Sequence, residues 1–239
     1  VVIAQHQNRA VFGGAGFSGP VRMGPDAKAV VDVLVKAWKG HLDLPGQKTS
    51  ITGIFIELPL AYPGVTATGE PLPGGRFSLT VLPDKKAYRT KIRGSLVQTE
   101  PMMYQVQARA DLASVQDLVL TSRGRVGFKK RPVADFAYQL QPMNLTQKSL
   151  AGLSLPFPAD LTFQARVGAN GRALLKGNRL DSDLLLSVTD GMLSLADSKL
   201  SVSGINTAMT MADLMSMRSR PGQVLTAESI RFDKVAMNN

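Results

Sequence analysis

The sequence predicts a mainly β protein built from antiparallel strands. From residue 49 onward, apolar and polar residues alternate, which is the pattern of a strand with one buried face. Turn-forming residues separate these runs, and the 239 residues include 22 Gly and 14 Pro. About eleven or twelve short, evenly spaced strands of this kind indicate an antiparallel meander, a sandwich or an open barrel.

Residues 1–48 are predicted to form a separate N-terminal segment that packs on the end of the sheet. The pattern predicts a helix over residues 26–39, with an N-cap at Asp26 and a stop at Gly40. The same valine-rich stretch also suits a strand, which remains the alternative. The apolar stripe of this predicted helix consists of Val30, Val31, Leu34 and Trp38.

A glycine-rich stretch before this helix contains the G-x-G-x-x-G pattern of dinucleotide-binding loops, at Gly14, Gly16 and Gly19. Such a loop needs a strand before it and a helix N-terminus directly after it. Pro20 follows at once, and no alternation of strands and helices continues downstream. We therefore expect a flexible turn or loop here and no nucleotide binding.

Residues 49–239 are predicted to form an antiparallel β domain with one apolar face. The candidate lining positions are the apolar residues that alternate with polar ones in each run. An inward-facing strand residue is also commonly plain core, so a packed core is the alternative role. The candidates are Ile54, Ile56, Leu58, Phe77, Leu79, Val106, Phe136, Tyr138, Phe163, Val167, Leu184, Leu186, Val188, Leu200, Val202 and Phe232.

Turn signals between the runs predict where the strands reverse. Asn170-Gly171 and Asp190-Gly191 are predicted hairpin turns, because a type I′ turn needs positive φ at both central residues. Pro73-Gly74-Gly75 and Pro83-Asp84 are further turn signals.

A short helix is predicted near residues 210–216. Thr210 and Asp213 fit a capping box, and Met211 begins an apolar turn that Pro221 ends. We expect this turn to plug one end of the sheet, although methionine side chains can also line an adaptable apolar site.

The formal net charge is +10, and Lys129-Lys130-Arg131 is the one tight basic run. The simpler interpretation of this charge is a solvated basic face. The more specific interpretation is that the charge attracts anionic lipid head groups or nucleic acid. RNP-type aromatic pairs, zinc-ligand spacing and a basic helix are absent from the sequence, so we expect no nucleic-acid partner.

The chain contains no cysteine, which excludes disulfides and thiolate metal sites and agrees with an exported compartment. It also contains no apolar run of about 18 residues, the length of a membrane-spanning helix. We expect the chain to be a piece of a longer polypeptide, with any membrane anchor outside it.

Signatures of catalysis are also missing. His6 and His41 are isolated, no metal-ligand spacing surrounds either of them, and no Gly-x-Ser-x-Gly motif occurs. The sequence therefore predicts neither a catalytic residue nor a metal or cofactor, and we expect that the protein is not an enzyme.

A set of short motifs occurs near the C-terminus. They are Gly204-Ile205-Asn206-Thr207, Asp213-Leu214, Arg218-Ser219, Pro221-Gly222-Gln223 and Leu225-Thr226. In this order they resemble the YdbH-like family, which is related to the AsmA/TamB-type proteins of the Gram-negative envelope. The resemblance is closest over residues 180–237 and extends to residue 49.

The resemblance implies an elongated, twisted antiparallel sheet curled into an open groove or taco-like half-barrel. It implies a periplasmic segment of an inner-membrane-anchored protein that conducts phospholipid toward the outer membrane, with a small outer-membrane lipoprotein as partner. Two hypotheses follow: a lipid-conducting groove segment, or a structural or adhesive β-sandwich module with a closed core and no lipid.

Overall fold

The predicted fold class is confirmed: the protein is mainly β and forms one large antiparallel sheet. The structure is a computed structural model. It describes residues 2–5, 8–24, 29–45, 48–62, 74–84, 88–115, 118–128, 132–152, 158, 160–176, 179–197, 199–213, 218–232 and 235–238.

Nineteen strands and one short helix are formed by these described residues. In chain order the elements are β1 (Val2–Gln5), β2 (Asn8–Val11), β3 (Gly14–Ser18), β4 (Val21–Met23), β5 (Ala29–Leu44), β6 (Thr49–Tyr62), β7 (Gly75–Pro83), β8 (Thr90–Glu100), β9 (Met103–Leu112), β10 (Val119–Gly127), β11 (Val133–Thr146), α1 (Gln147–Gly152), β12 (Leu161–Lys176), β13 (Arg179–Ser182), β14 (Leu184–Leu195), β15 (Leu200–Asp213), β16 (Arg218–Ser219), β17 (Leu225–Thr226), β18 (Ser229–Phe232) and β19 (Val235–Asn238).

The chain divides into two compact units. Unit 1 comprises residues 1–113, 121–136 and 174–179, and unit 2 comprises residues 114–120, 137–173 and 180–239. The predicted boundary at residue 48 lies between β5 and β6, two strands that pair along most of their lengths.

Unit 1 is centred on an antiparallel meander that runs from β5 to β9. On the other side of β5, the short strands β2, β3 and β4 pair with successive parts of it. The single long strand β5 thus pairs along its length with the three short strands β2, β3 and β4.

The helix predicted over residues 26–39 is wrong, because β5 occupies Ala29–Leu44. Here a period of two prevails over the helical stripe: Asp32 and Lys36 lie on one face, while Val33 and Val35 lie on the other. The β-branched valines pack well on such a pleated surface, as the alternative interpretation held. Residues 25–28, which include the predicted N-cap Asp26, lie outside the described residues.

The glycine-rich loop expected at residues 13–19 is likewise a strand over most of its length. Gly14 and Gly16 lie in β3, opposite Trp38 and Lys36 of β5. The next described element is the strand β4, so the described residues here do not form the loop-to-helix junction that a phosphate site needs.

Two β-bulges interrupt the pairing of β5 with β6. The first adds a residue in β5 at Lys39, where φ is 53°, and the second adds a residue in β6 at Gly53, where φ is 60°. Each extra residue shifts the alternation by one position. As a result, Leu42 stays on the same face as Ala37, and Ile51 stays on the same face as Ile56.

Unit 2 contains the antiparallel series β12–β14–β15, with β16, β17 and β18 pairing with successive parts of β15. The hairpin turns predicted at Asn170-Gly171 and Asp190-Gly191 are wrong, because these residues lie inside β12 and β14. Asp190 does have positive φ, 52°, but it forms a β-bulge and not a turn. Gly204 forms a second bulge in β15, with φ at 64°.

The helix predicted near residues 210–216 is wrong at its start, because β15 continues to Asp213. The main chain of Thr210 is bonded to the side chain of Gln223, so the predicted capping box does not form. Residues 214–217 lie outside the described residues. A short helix that the sequence patterns did not predict, α1, follows β11.

Candidate functional site

Strand register gives the sheet of unit 1 two chemically distinct faces. The first, here called the unit 1 apolar face, is built of cross-strand rows because directly paired residues share a face. These rows are Ala37–Ile56–Phe77–Gly94–Ala108, Val35–Leu58, Gly75–Leu96–Val106 and Leu79–Ile92–Ala110.

A small cluster on this face is well buried. Leu96, Tyr104 and Val106 form it. Side chains from neighbouring strands pack against it, namely Leu58, Phe77, Val126 and Phe136. The hydroxyl of Tyr104 is buried without a hydrogen-bond partner among the described residues, and burial raises the pKa of this phenol. The cluster therefore contains one uncompensated polar atom.

The opposite face of unit 1 is charged. Glu57 is held by Lys36 at 3.1 Å and by the Nε of Arg76 at 2.5 Å. Hydrogen bonds from Arg76 and then Lys36 hold the pKa of Glu57 below its ordinary value. These ion pairs distinguish this face from the unit 1 apolar face, whose paired rows carry no charged side chain.

Unit 2 repeats this arrangement on the face here called the unit 2 apolar face. Its rows are Leu161–Leu195–Leu200–Phe232, Phe163–Leu193–Val202–Ile230, Val167–Val188–Thr207–Leu225 and Ala169–Leu186–Met209. The bulges at Asp190 and Gly204 keep these rows on one face, since each resets the alternation of its strand.

The candidate lining residues fall into two groups by unit. In unit 1, the registers and the buried cluster bring together Ile54, Ile56, Leu58, Phe77, Leu79, Val106 and Phe136. In unit 2, the registers bring together Phe163, Val167, Leu184, Leu186, Val188, Leu200, Val202 and Phe232.

Tyr138 has a different environment from the other candidates. Its hydroxyl donates a hydrogen bond to the carbonyl oxygen of Asp183, and its ring lies against Gly171. Burial, followed by the charge of Asp183, raises the pKa of Tyr138. Its side chain thus connects β11 to the residue between β13 and β14.

Several residues of these faces are not among the candidate lining positions. They are Ile92 and Leu96 in unit 1, and Leu193, Ile205 and Met209 in unit 2. Along its own strand, each of the last three is separated by a bulge from a candidate: Leu193 from Val188 on β14, and Ile205 and Met209 from Val202 on β15. The signal for them was a glycine or aspartate inside an apolar run, which also marks a β-bulge.

Glycines within the strands lie beneath aromatic rings. A Cβ at Gly94 would meet the ring of Phe77, and a Cβ at Gly14 would meet the ring of Trp38. The pairs Gly124–Phe136, Gly171–Tyr138 and Gly40–Phe12 show the same relation. Such rings cover backbone that a glycine leaves bare.

The C-terminal sequence motif forms hydrogen bonds along β15. The Asn206 amide accepts from Asp190 N at 3.2 Å and donates to Gly204 O at 2.9 Å, which secures both bulges. The Thr207 hydroxyl donates to Val224 O at 2.9 Å. The Gln223 amide bonds to both main-chain groups of Thr210, at 2.7 and 3.2 Å. Each of these side chains has a structural role.

Three other kinds of site bear on function: a pocket, a metal site and a membrane-spanning helix. A shallow pocket of about 510 Å³ at the strand ends of unit 1 is lined by residues that include Arg9, Asp43, Lys48 and Asp84. No group of three metal-ligating side chains occurs in the part of the chain that the structure describes. Within those same residues, no helix has the length and apolarity needed to cross a membrane.

Comparison with known proteins identifies no relative. No family model, no curated protein and no solved structure matches the chain.

Proposed function

We propose that this protein is a segment of an envelope-spanning bridge protein and that its apolar sheet faces hold the acyl chains of phospholipids. The single observation that supports this proposal is the continuity of the apolar rows from strand to strand in each unit. A face of this kind has to be covered, because exposed aliphatic surface is costly in water.

Acyl chains suit these faces for simple physical reasons. Each buried methylene contributes about 0.8 kcal/mol. A strand of about eight residues spans roughly 25 Å, which is comparable with an acyl tail. The described residues of the chain form one sheet and one six-residue helix, α1, so helices contribute little to covering these faces.

The cellular setting in this proposal comes from the family resemblance. The segment would lie in the periplasm of a Gram-negative bacterium, in a protein anchored in the inner membrane. A small outer-membrane lipoprotein would be its protein partner. The proposal includes no catalytic step. It does include a curved sheet that forms a groove around the lipid.

A closed structural or adhesive module is the second candidate. The buried cluster of Leu96, Tyr104 and Val106 favours it, because those side chains are already packed against protein. If the whole of both apolar faces were sealed in the same way, no room for lipid would remain.

Lipid that co-purifies with the protein distinguishes the two candidates. The native protein is extracted with organic solvent, and the extract is measured by mass spectrometry. Leu186→Asp places a charge in a row of the unit 2 apolar face and is expected to reduce bound phospholipid. Ala208→Asp is the matched control, since Ala208 is exposed and pairs with Ser187 on the opposite face.

Leu186→Ser serves as the milder variant if Leu186→Asp lowers the melting temperature. Phospholipid in the parent and in Ala208→Asp, with less in the Leu186 variants, supports the proposal. A parent protein free of lipid after gentle purification, with a sealed side-chain core, would replace it with the structural module.

A further inference from the structure

One end of the unit 1 sheet exposes four apolar side chains. Val97 is 44% exposed, Met102 39%, Phe128 50% and Val133 38%. Val97 lies on β8, three residues before its end, and Met102 lies between β8 and β9. Phe128 follows β10, and Val133 begins β11. We call these four residues the apolar tip.

The end of β10 lies beside the residues that join β8 to β9. The main-chain N–H of Phe128 donates to the carbonyl oxygen of Met102 at 2.9 Å. The Phe128 ring also packs at 60° to the ring of Tyr104, with 6.4 Å between centroids. Because Tyr104 is 2% exposed, this contact anchors Phe128 to the buried cluster while half of its surface faces outward.

Arginines follow the apolar tip along the charged face. Val126 packs against the buried cluster, so Arg123 and Arg125, which alternate with it on β10, lie on the opposite face. On the same face, Arg93 of β8 pairs directly with Arg109 of β9. We call Arg93, Arg109, Arg123 and Arg125 the arginine face.

This face has an excess of positive charge. Asp111 bridges Arg93 and Arg109, at 3.1 and 2.9 Å, and so offsets part of the repulsion between them. Like charges directly opposite each other destabilise a sheet. No ion pair to Arg123 or Arg125 occurs among the described residues. An anionic partner would relieve the excess charge.

The spacing of tip and arginines matches the interface of a bilayer. At about 3.4 Å per residue, Arg125 lies about 7 Å and Arg123 about 14 Å along β10 from Gly127, the last residue before Phe128. An apolar element that enters a bilayer surface is buried about 5–10 Å, at the boundary of head groups and acyl chains. Guanidinium groups behind it meet the phosphates, which they bind in bidentate fashion.

We infer that the apolar tip and the arginine face together form a contact surface for a bilayer rich in anionic phospholipid. The inference is independent of the acyl-binding proposal, because it uses the end of the sheet and its charged face. Bases of nucleic acid would find no aromatic ring to stack on, since the described residues of β8, β9 and β10 place none on that face. In sequence, Lys129-Lys130-Arg131 follows Phe128, and the surface is defined without these three residues.

Vesicle sedimentation tests the contact. The whole chain is mixed with vesicles of phosphatidylcholine alone, or with one-third phosphatidylglycerol. Binding is expected only to the second kind and is expected to weaken as salt rises from about 0.1 M to about 1 M. Phe128→Ser is expected to weaken it about tenfold or more, and Arg123→Gln with Arg125→Gln by a similar factor.

Phe17→Ser is the matched control, since Phe17 is 74% exposed but lies on β3, among the strands paired with β5. Its binding is expected to equal that of the parent. Binding that is lost equally in Phe17→Ser, or kept in both Phe128→Ser and the arginine double variant, would overturn the inference. So would binding to a soluble polyanion with none to vesicles.

A fluorescence experiment avoids truncating the tip. Trp38 is the sole tryptophan, so Trp38→Phe combined with Phe128→Trp reports on the tip alone. Anionic vesicles are expected to shift its emission to the blue, and lipids with nitroxide near the head group are expected to quench it. An unchanged spectrum on vesicles that sediment with the protein would also overturn the inference.

Discussion

The side-chain amide of Gln98 hydrogen-bonds to both main-chain groups of Ala61, two strands away in unit 1. Its oxygen accepts from Ala61 N at 2.7 Å, and its nitrogen donates to Ala61 O at 2.8 Å. The strand between them, β7, begins at Gly75, so it does not extend along the last residues of β6. Gln98 therefore substitutes for a missing strand, as Gln223 does for Thr210 in unit 2.

Replacing Gln98 is expected to destabilise unit 1. In Gln98→Leu, the N–H and C=O of Ala61, a residue 4% exposed, lose their partners. A buried main-chain group without a partner costs about 1–3 kcal/mol. Urea unfolding measures the loss, and Gln107→Leu, at an exposed position of β9, is expected to stay close to the parent. An equal effect of the two variants would contradict this role of Gln98.

Replacing each of the two tyrosines with raised pKa by phenylalanine is expected to change the free energy of unfolding in opposite directions. Tyr104→Phe removes a buried hydroxyl without a partner and is expected to raise the free energy of unfolding by about 1 kcal/mol. Tyr138→Phe removes the donor to Asp183 O and is expected to lower it by about as much. Thermal unfolding of both variants measures the difference. Equal changes of melting temperature in the same direction would show that the two hydroxyls do not differ in their hydrogen bonding.

A methyl group at Gly94 is expected to be destabilising. The new Cβ would overlap the Phe77 ring and the carbonyl oxygen of Gln107, and crowding of this kind costs about 1–3 kcal/mol. Gly16→Ala is the matched control, because the nearest atom to its Cβ would be 3.9 Å away, on the ring of Trp38. Its effect is expected within about 0.5 kcal/mol. Similar melting temperatures for the two variants would contradict the close packing at Gly94.

The ion pairs of Glu57 are expected to stabilise the protein above about pH 5 and to lose this effect in acid. Arg76 and Lys36 lower the pKa of Glu57 in the folded chain below its ordinary value of 4.5. The unfolded chain therefore takes up the proton first as the pH falls. The difference in melting temperature between the parent and Glu57→Gln is expected to be constant near neutral pH and to shrink in acid. A difference that does not depend on pH would exclude these ion pairs as its cause.

Alternation alone placed most of the apolar rows correctly, because one face of each strand is hydrophobic whatever its neighbours. It failed at β5, where Val30, Val31, Leu34 and Trp38 mimic a helical stripe along a strand. In such a short valine-rich stretch, pairing with β6 decides the outcome, and pairing is not visible in local sequence.

Glycine was the other source of error. Asn170-Gly171 and Asp190-Gly191 carry the signal of a turn, yet one pair lies inside β12 and the other forms a bulge. Local sequence shows that a residue tolerates positive φ, but it does not show whether the chain reverses there. The hydrogen bonds of Gln98 and Gln223 were equally hidden, because their partners come from other strands.

Gly53 also determines where the length of this chain can change. It is the extra residue of β6 relative to both neighbouring strands: Thr52 and Ile54 pair with the adjacent residues His41 and Gly40, and on the other side Thr52 and Phe55 pair with Thr80 and Ser78. Its Cβ position is open, with no atom within 4 Å. Deleting Gly53 would therefore leave both registers intact. A deletion elsewhere in β6 would move the side chains that precede or follow it along the strand to the opposite face of the sheet. Natural insertions and deletions are therefore expected to occur mainly at such bulges. There the length of a strand can vary while the same face of the sheet stays apolar.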